Sequence, residues 1–98
     1  MAKRKIVWSN KAKIKLYQIL EFYIDRNKSN TYSKKLYTLF KKELSILKGQ
    51  PEIGIKTDFE SIRGLFVDDF ILFYEIQYDK IIVHSVWNCR QNPENLKI

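Results

Sequence analysis

Cysteine is almost missing from this 98-residue chain: Cys89 stands alone. No internal disulfide framework can exist, and a thiolate metal cage is excluded with it. Histidine is equally scarce, with only His84, so a metal site built from His and Cys is not expected. Strand alternation would also point these two residues to opposite faces, which argues against a Cys–His nucleophile pair. The three glycines, Gly49, Gly54 and Gly64, are isolated, whereas phosphate-cradling loops need them clustered. No apolar run approaches the ~20 residues that span a bilayer. In "MAKRKIVWSN" the apolar "IVW" is far shorter than a secretory apolar region. These absences predict a cytoplasmic, cofactor-free protein with no membrane association.

What is present is hydrophobic material and positive charge. Hydrophobic residues make up 45% and aromatics 14%, enough for one globular domain over residues 1–98 and too much for a disordered chain. The net charge is +7, unevenly distributed: residues 1–50 hold 13 Lys/Arg against 3 Asp/Glu, and residues 51–98 hold 5 against 8. A basic half beside a mildly acidic one fits an anionic partner, either nucleic acid or an acidic protein. Lysines that merely solvate helix faces are the plainer account of the same excess.

The periodicity predicts a β-α-α-β-β-β order. "KIVWS" reads as a strand over 5–9, and Ser9 or Asn10 can cap the helix that follows. From Lys11 onward Leu16, Tyr17, Leu20, Tyr23 and Ile24 recur at helical spacing. "RNKSN" interrupts the pattern. A second helix is predicted over 31–48, capped by Ser29 or Asn30, with Tyr32, Leu36, Leu39, Phe40, Glu43 and Leu47 on one stripe. Lys34, Lys41 and Lys48, beside Lys35 and Lys42, make the opposite face basic. Gly49 and Pro51 end the helix. Then "DFESIRGLF", "FILFYEIQY" and "KIIVHSVWNCR" read as three strands of an antiparallel meander. The fold class is therefore α+β, a helical hairpin packed on one face of a mainly antiparallel sheet.

Alternation assigns the faces. Phe70, Leu72, Tyr74 and Ile76, with Ile81, Val83, Ser85, Trp87 and Cys89, are predicted to lie under the helices. Ile71, Phe73, Glu75 and Gln77, with Ile82, His84, Val86, Asn88 and Arg90, form a second, mixed face that is expected to be partly open.

Chemistry centres on a few cations. Arg63 and Arg90 sit in or beside strands, where propensity does not favour them, and an arginine can grip phosphate with two parallel bonds. Lys56 precedes the strand of Arg63 and could join them. His84 titrates near neutrality and could act as acid or base. Such a set serves RNA backbone cleavage or passive RNA binding equally. Ion pairing with Asp58, Glu60 or Glu75 is the plainer role for the arginines, and a satisfied, partly buried strand residue is the plainer role for His84.

Taken in order, "VWSNKAKIKLYQILEFYIDRN", "LSILKGQPEIG", "SIRGLFVDDFILFYEI" and "IIVHSVWNCRQNP" resemble the RelE/ParE toxin superfamily over nearly the whole chain. The carriers are W-S-x-x-A with Ala12, L-x-x-x-P-x-x-G with Leu47, Pro51 and Gly54, I-R with Arg63, F-Y-x-I on the third strand, and a last strand closing in R-x-x-P. The resemblance implies the toxin of a type II toxin–antitoxin system, neutralised by an acidic antitoxin that folds on binding. The helical hairpin and the sheet edge are its candidate docking surfaces. RelE-type members cut mRNA in the ribosomal A site without metal, and ParE-type members poison DNA gyrase.

Carried over, Arg90 falls where RelE-type toxins hold phosphate, Arg63 on the shared I-R arginine, and Lys56 near the basic residues before that strand. Asn88 and Asn92 flank Arg90 as candidate target contacts. Ile71 stands where the nucleases tend to carry an arginine, and Gln91, Asn92 and Pro93 stand where several carry a terminal His or Tyr. "IRGLFVDDFILFY" is closer to the ParE version. The leading expectation is thus a ParE-like gyrase poison. The alternatives are a metal-independent mRNA endoribonuclease using Arg90, Arg63, Lys56 and His84, or a non-catalytic RNA- or protein-binding module.

Overall fold

The computed structural model describes residues 4–89. Its elements are β1 (Lys5–Trp8), α1 (Asn10–Asn27), α2 (Thr31–Gly49), β2 (Ile55–Lys56), β3 (Ile62–Val67), β4 (Phe70–Ile76) and β5 (Lys80–Asn88). They form one five-stranded sheet in the order β1-β5-β4-β3-β2. β1 pairs with β5 in parallel, and every other pairing is antiparallel. The predicted α+β arrangement is what forms, with one strand added: β2 is two residues long, too short to show any periodicity. The strand expected to begin at Asp58 begins instead at Ile62.

Local chemistry sets the boundaries. The Ser9 Oγ accepts from the Ala12 N–H at 3.1 Å and donates to the His84 carbonyl at 3.1 Å, so one hydroxyl caps α1 and ties it to β5. α1 ends at Lys28, which takes left-handed backbone (φ 55°). Asn30 precedes α2 without a side-chain cap, and the Ser29 Oγ accepts from the Thr31 N–H instead. The β3–β4 hairpin turns on Asp68 and Asp69. Asp68 carries a φ of 54° there, which aspartate tolerates better than most residues.

The core lies between the hairpin and one sheet face. Leu36, Phe40, Leu44 and Leu47 of α2 meet Leu72, Tyr74, Ile81 and Val83, all at most 2% exposed. Phe40 and Phe70 stack edge to face at 5.7 Å. The Ser33 Oγ donates to the Leu20 carbonyl at 2.7 Å and fastens the two helices together. α1 departs from its predicted stripe: Leu16 is buried and Leu20 and Tyr23 are half-buried, but Tyr17 and Ile24 face solvent.

The last strand departs more consequentially. Phe73 lies opposite Ser85, but Tyr74 lies opposite Val83, so His84 is an extra residue on β5. This β-bulge reverses the alternation beyond it. Val86 therefore joins the helix-side core. Trp87, expected under the helices, packs on the other face with Ile62, Ile71 and Phe73, and Cys89 is exposed. That second face is not a uniform open groove: a small apolar cluster closes one part of it.

Candidate functional site

The sequence candidates separate into two groups. Lys56 pairs with Arg63, and Arg63 pairs with Tyr74, across three adjacent strands. Paired residues share a face, and Tyr74 belongs to the helix-side core. Arg63 and Lys56 therefore lie on that side, with Arg63 half-buried and Lys56 exposed. His84 lies on the other face with Glu75. The two groups do not converge on a common point. Arg90 and Asn92 fall outside the described residues. Asn88, expected on the open face, pairs with Phe70 and lines a hollow with α1, because the bulge has reversed its direction.

Arg63 is engaged. Its Nη1 donates to the Gly54 carbonyl at 2.9 Å and to the Glu52 carbonyl at 3.2 Å. Both acceptors are neutral, so the residue keeps its charge while one nitrogen holds the segment that follows α2. Tyr74, fully buried, completes the clamp. Its hydroxyl donates to the Pro51 carbonyl at 2.7 Å and accepts from the Gly54 N–H at 3.0 Å. Burial pushes the Tyr74 phenol up from its ordinary range, against the opposing pull of the Gly54 N–H and the Arg63 charge. Neither Tyr74 nor Gly54 was a site candidate on sequence grounds. The only signal was their presence in the F-Y-x-I and P-x-x-G motifs.

On the second face the His84 Nε2 lies 2.9 Å from the Glu75 Oε1, and the Gln77 Nε2 donates to the Glu75 Oε2 at 3.0 Å. The Gln77 bond first, and then the His84 bond, pull the Glu75 carboxyl below its ordinary range. A hollow of about 480 Å³ runs from Phe59 and Ser61 past this pair to Ser9 and Lys11. An imidazole held by a carboxylate can move a proton, but among the described residues no arginine lines this hollow to stabilise a phosphorane-like charge. Among the described residues there is no cluster of His, Cys, Asp and Glu able to hold a metal. No helix there is long and apolar enough to cross a membrane.

Residues 6–93 match a family model described as the ParE toxin of the type II toxin–antitoxin system parDE. The chain belongs to this family. It is thus a ParE-like toxin component of a type II system, a class whose members work opposite an antitoxin partner. The ParE fold is shared with a solved chain described as "Chromosomal ParDE TA system from P. aeruginosa": the TM-score is 0.74 at 14% identity, covering 88% of this chain and 96% of that one. No curated protein matches this ParE toxin in sequence.

Proposed function

We propose that this ParE toxin arrests growth by acting on DNA gyrase in the cytoplasm. The observation that carries the reading is Ile71. It occupies the slot in which RelE-type nucleases tend to hold an arginine, is 6% exposed, and is packed with Ile62, Phe73 and Trp87. An arginine there would place an uncompensated charge in an apolar cluster, so the position is built for packing. The nuclease reading is weakened further because Arg63 holds a loop on one face while His84 is bonded to Glu75 on the other.

Inducing the protein without its antitoxin should trigger the SOS response and double-strand breaks before protein synthesis falls. With purified gyrase the toxin should inhibit supercoiling and trap cleaved DNA. If translation stops first, with transcripts cut in the A site, the gyrase reading is wrong. Arg90, Arg63 and Lys56 then become candidate phosphate contacts on mRNA. An acidic antitoxin, matched to the +7 charge of the toxin, should restore growth.

A further inference from the structure

α2 buries Leu36, Phe40, Leu44 and Leu47 in the core. At about 100° per residue, the side of the helix turned away from that stripe carries Lys34, Thr38, Lys41, Ser45 and Lys48. The first four are exposed and Lys48 is half-buried. Their spacing, four and three residues in turn, keeps them in one line along the helix. Lys35 and Lys42, also exposed, flank this line. From Lys34 to Lys48 the helix rises roughly 21 Å.

This face differs from one that is merely wetted. Every side chain in the line is a donor, ammonium or hydroxyl, and none is a carboxylate. A face charged only for solubility gains from Glu placed four residues before Lys. The single carboxylate of α2, Glu43, is half-buried and falls roughly 180° round the helix from Lys34. Among the described residues none of these lysines is ion-paired, so the charge of the whole row is open to a partner. The line also holds no apolar residue. Protein partners and membrane surfaces are gripped through apolar or aromatic anchors set among the charges. Single-stranded RNA is held on exposed rings where its bases stack. Tyr37 lies at the edge of the row, but the Lys41 Nζ sits 5.5 Å from its ring centre and already occupies that face.

We propose that the outward face of α2 binds the phosphate backbone of double-stranded DNA without reading its sequence. A duplex carries one charge per ~1.7 Å of its axis and is stiff over ~150 base pairs, so it matches a straight row of cations. The row is as long as about six base pairs. The lysines act as point charges on phosphate oxygens, and the Thr38 and Ser45 hydroxyls donate between them. The choice of duplex DNA over RNA rests on the gyrase reading, because that enzyme works on duplex DNA. The face would hold the toxin beside the DNA that its target grips.

The test is fluorescence anisotropy of labelled ~20-base-pair duplexes titrated with the full-length toxin alone, from 50 to 200 mM salt. Duplexes of unrelated sequence should bind equally. The log–log salt slope should lie near −4, as about 0.9 per phosphate contact requires for five lysines. Lys34→Gln/Lys41→Gln should lower the slope by about 2 and weaken binding about tenfold. Glutamine matches lysine in helix propensity, so Tm should hold. Lys34→Arg/Lys41→Arg should restore both slope and affinity. Lys5→Gln/Lys13→Gln, which removes the same charge from exposed positions off this face, should leave the slope within about 0.5 of its starting value. An unchanged slope in the α2 glutamine pair, or no binding at 50 mM salt, would overturn the proposal. Equal or tighter binding to duplex or single-stranded RNA would overturn the DNA assignment. Wild-type toxin that binds DNA with this slope yet leaves supercoiling untouched would support the face and remove the gyrase reading.

Discussion

Replacing Gly54 by alanine should remove much of the stability of this protein. A Cβ at Gly54 would overlap the Tyr74 Oη and come within 2.8 Å of both the Tyr74 Cε1 and the Gly64 carbonyl oxygen. Neither neighbour can yield cheaply. Gly64 is fixed by pairing to Ile55 on one side and to Phe73 on the other. Tyr74 is 0% exposed and its hydroxyl is bonded at both ends. Forced overpacking costs about 1–3 kcal/mol, and losing the two Tyr74 bonds adds roughly 1 kcal/mol each. A total of about 3–5 kcal/mol is a large share of the ~5–15 kcal/mol available to a domain. At about 4–8 °C per kcal/mol, Tm should fall by some 12 °C or more. Urea unfolding followed by tryptophan fluorescence measures the loss. A double-mutant cycle then locates it. Tyr74→Phe alone should cost about 1–3 kcal/mol by orphaning the Gly54 N–H and the Pro51 carbonyl. In Gly54→Ala/Tyr74→Phe the overlapping oxygen is gone, so the double variant should be more stable than the sum of the singles by over ~1 kcal/mol. Additivity to within about 0.5 kcal/mol would refute the reasoning, because the clash would then not involve the hydroxyl.

Other perturbations follow from the same geometry. Ser9→Ala should lower stability by about 1–2 kcal/mol in denaturant titration, since it loses the α1 cap and the bond to the His84 carbonyl; Ser9→Asp, which can cap but cannot donate, should recover part of this. Arg63→Met keeps the stem and loses both carbonyl bonds, so it should cost about 1–2 kcal/mol and speed hydrogen exchange over residues 52–56. Glu75 has a carboxyl pKa lowered by Gln77 and His84. Its contribution should be full above the ordinary carboxylate value near ~4.3 and should fade as pH falls through the lower folded value. Glu75→Gln should flatten that acid limb in pH-dependent unfolding.

The order of elements was legible because helix and strand periods differ so clearly here, and so was the facing of β4: Phe70, Leu72, Tyr74 and Ile76 do face the helices, although the strand ends at Ile76 and not at Tyr78. β5 was legible only to His84. In "IIVHSVWN" the alternation continues smoothly through Ser85 and Trp87, and no local residue type announces an inserted position. The reversal is decided by tertiary packing, which places Val86 opposite Leu72 in the core and Trp87 opposite Ile71 outside it. α1 misled for a different reason. Periodicity treats every apolar residue on a stripe as a vote for the core, yet Tyr17 and Ile24, both on the predicted stripe, are exposed. A helix with apolar residues on more than one side carries two stripes, and the sum of them blurs the reading of either.

The motif residues themselves explain why the family could be read and its target could not. Pro51, Gly54, Arg63 and Tyr74 come from three motifs that are far apart in sequence, and they meet in one clamp. Gly54 must be glycine because a Cβ would strike the Tyr74 hydroxyl and the Gly64 carbonyl. Tyr74 must reach two backbone groups at once, and Arg63 must span two carbonyls of the same loop. Each requirement concerns the junction between α2 and the sheet, and none concerns a substrate. Residues selected by such a junction would persist whichever target the toxin meets. The sequence signal is therefore strongest where the scaffold is most constrained. Discriminating information sits instead in positions such as Ile71, where a change of residue type alters what the surface can hold. An arginine shared across the superfamily is thus weak support for nuclease chemistry by itself, because in this toxin the shared arginine already has a structural task.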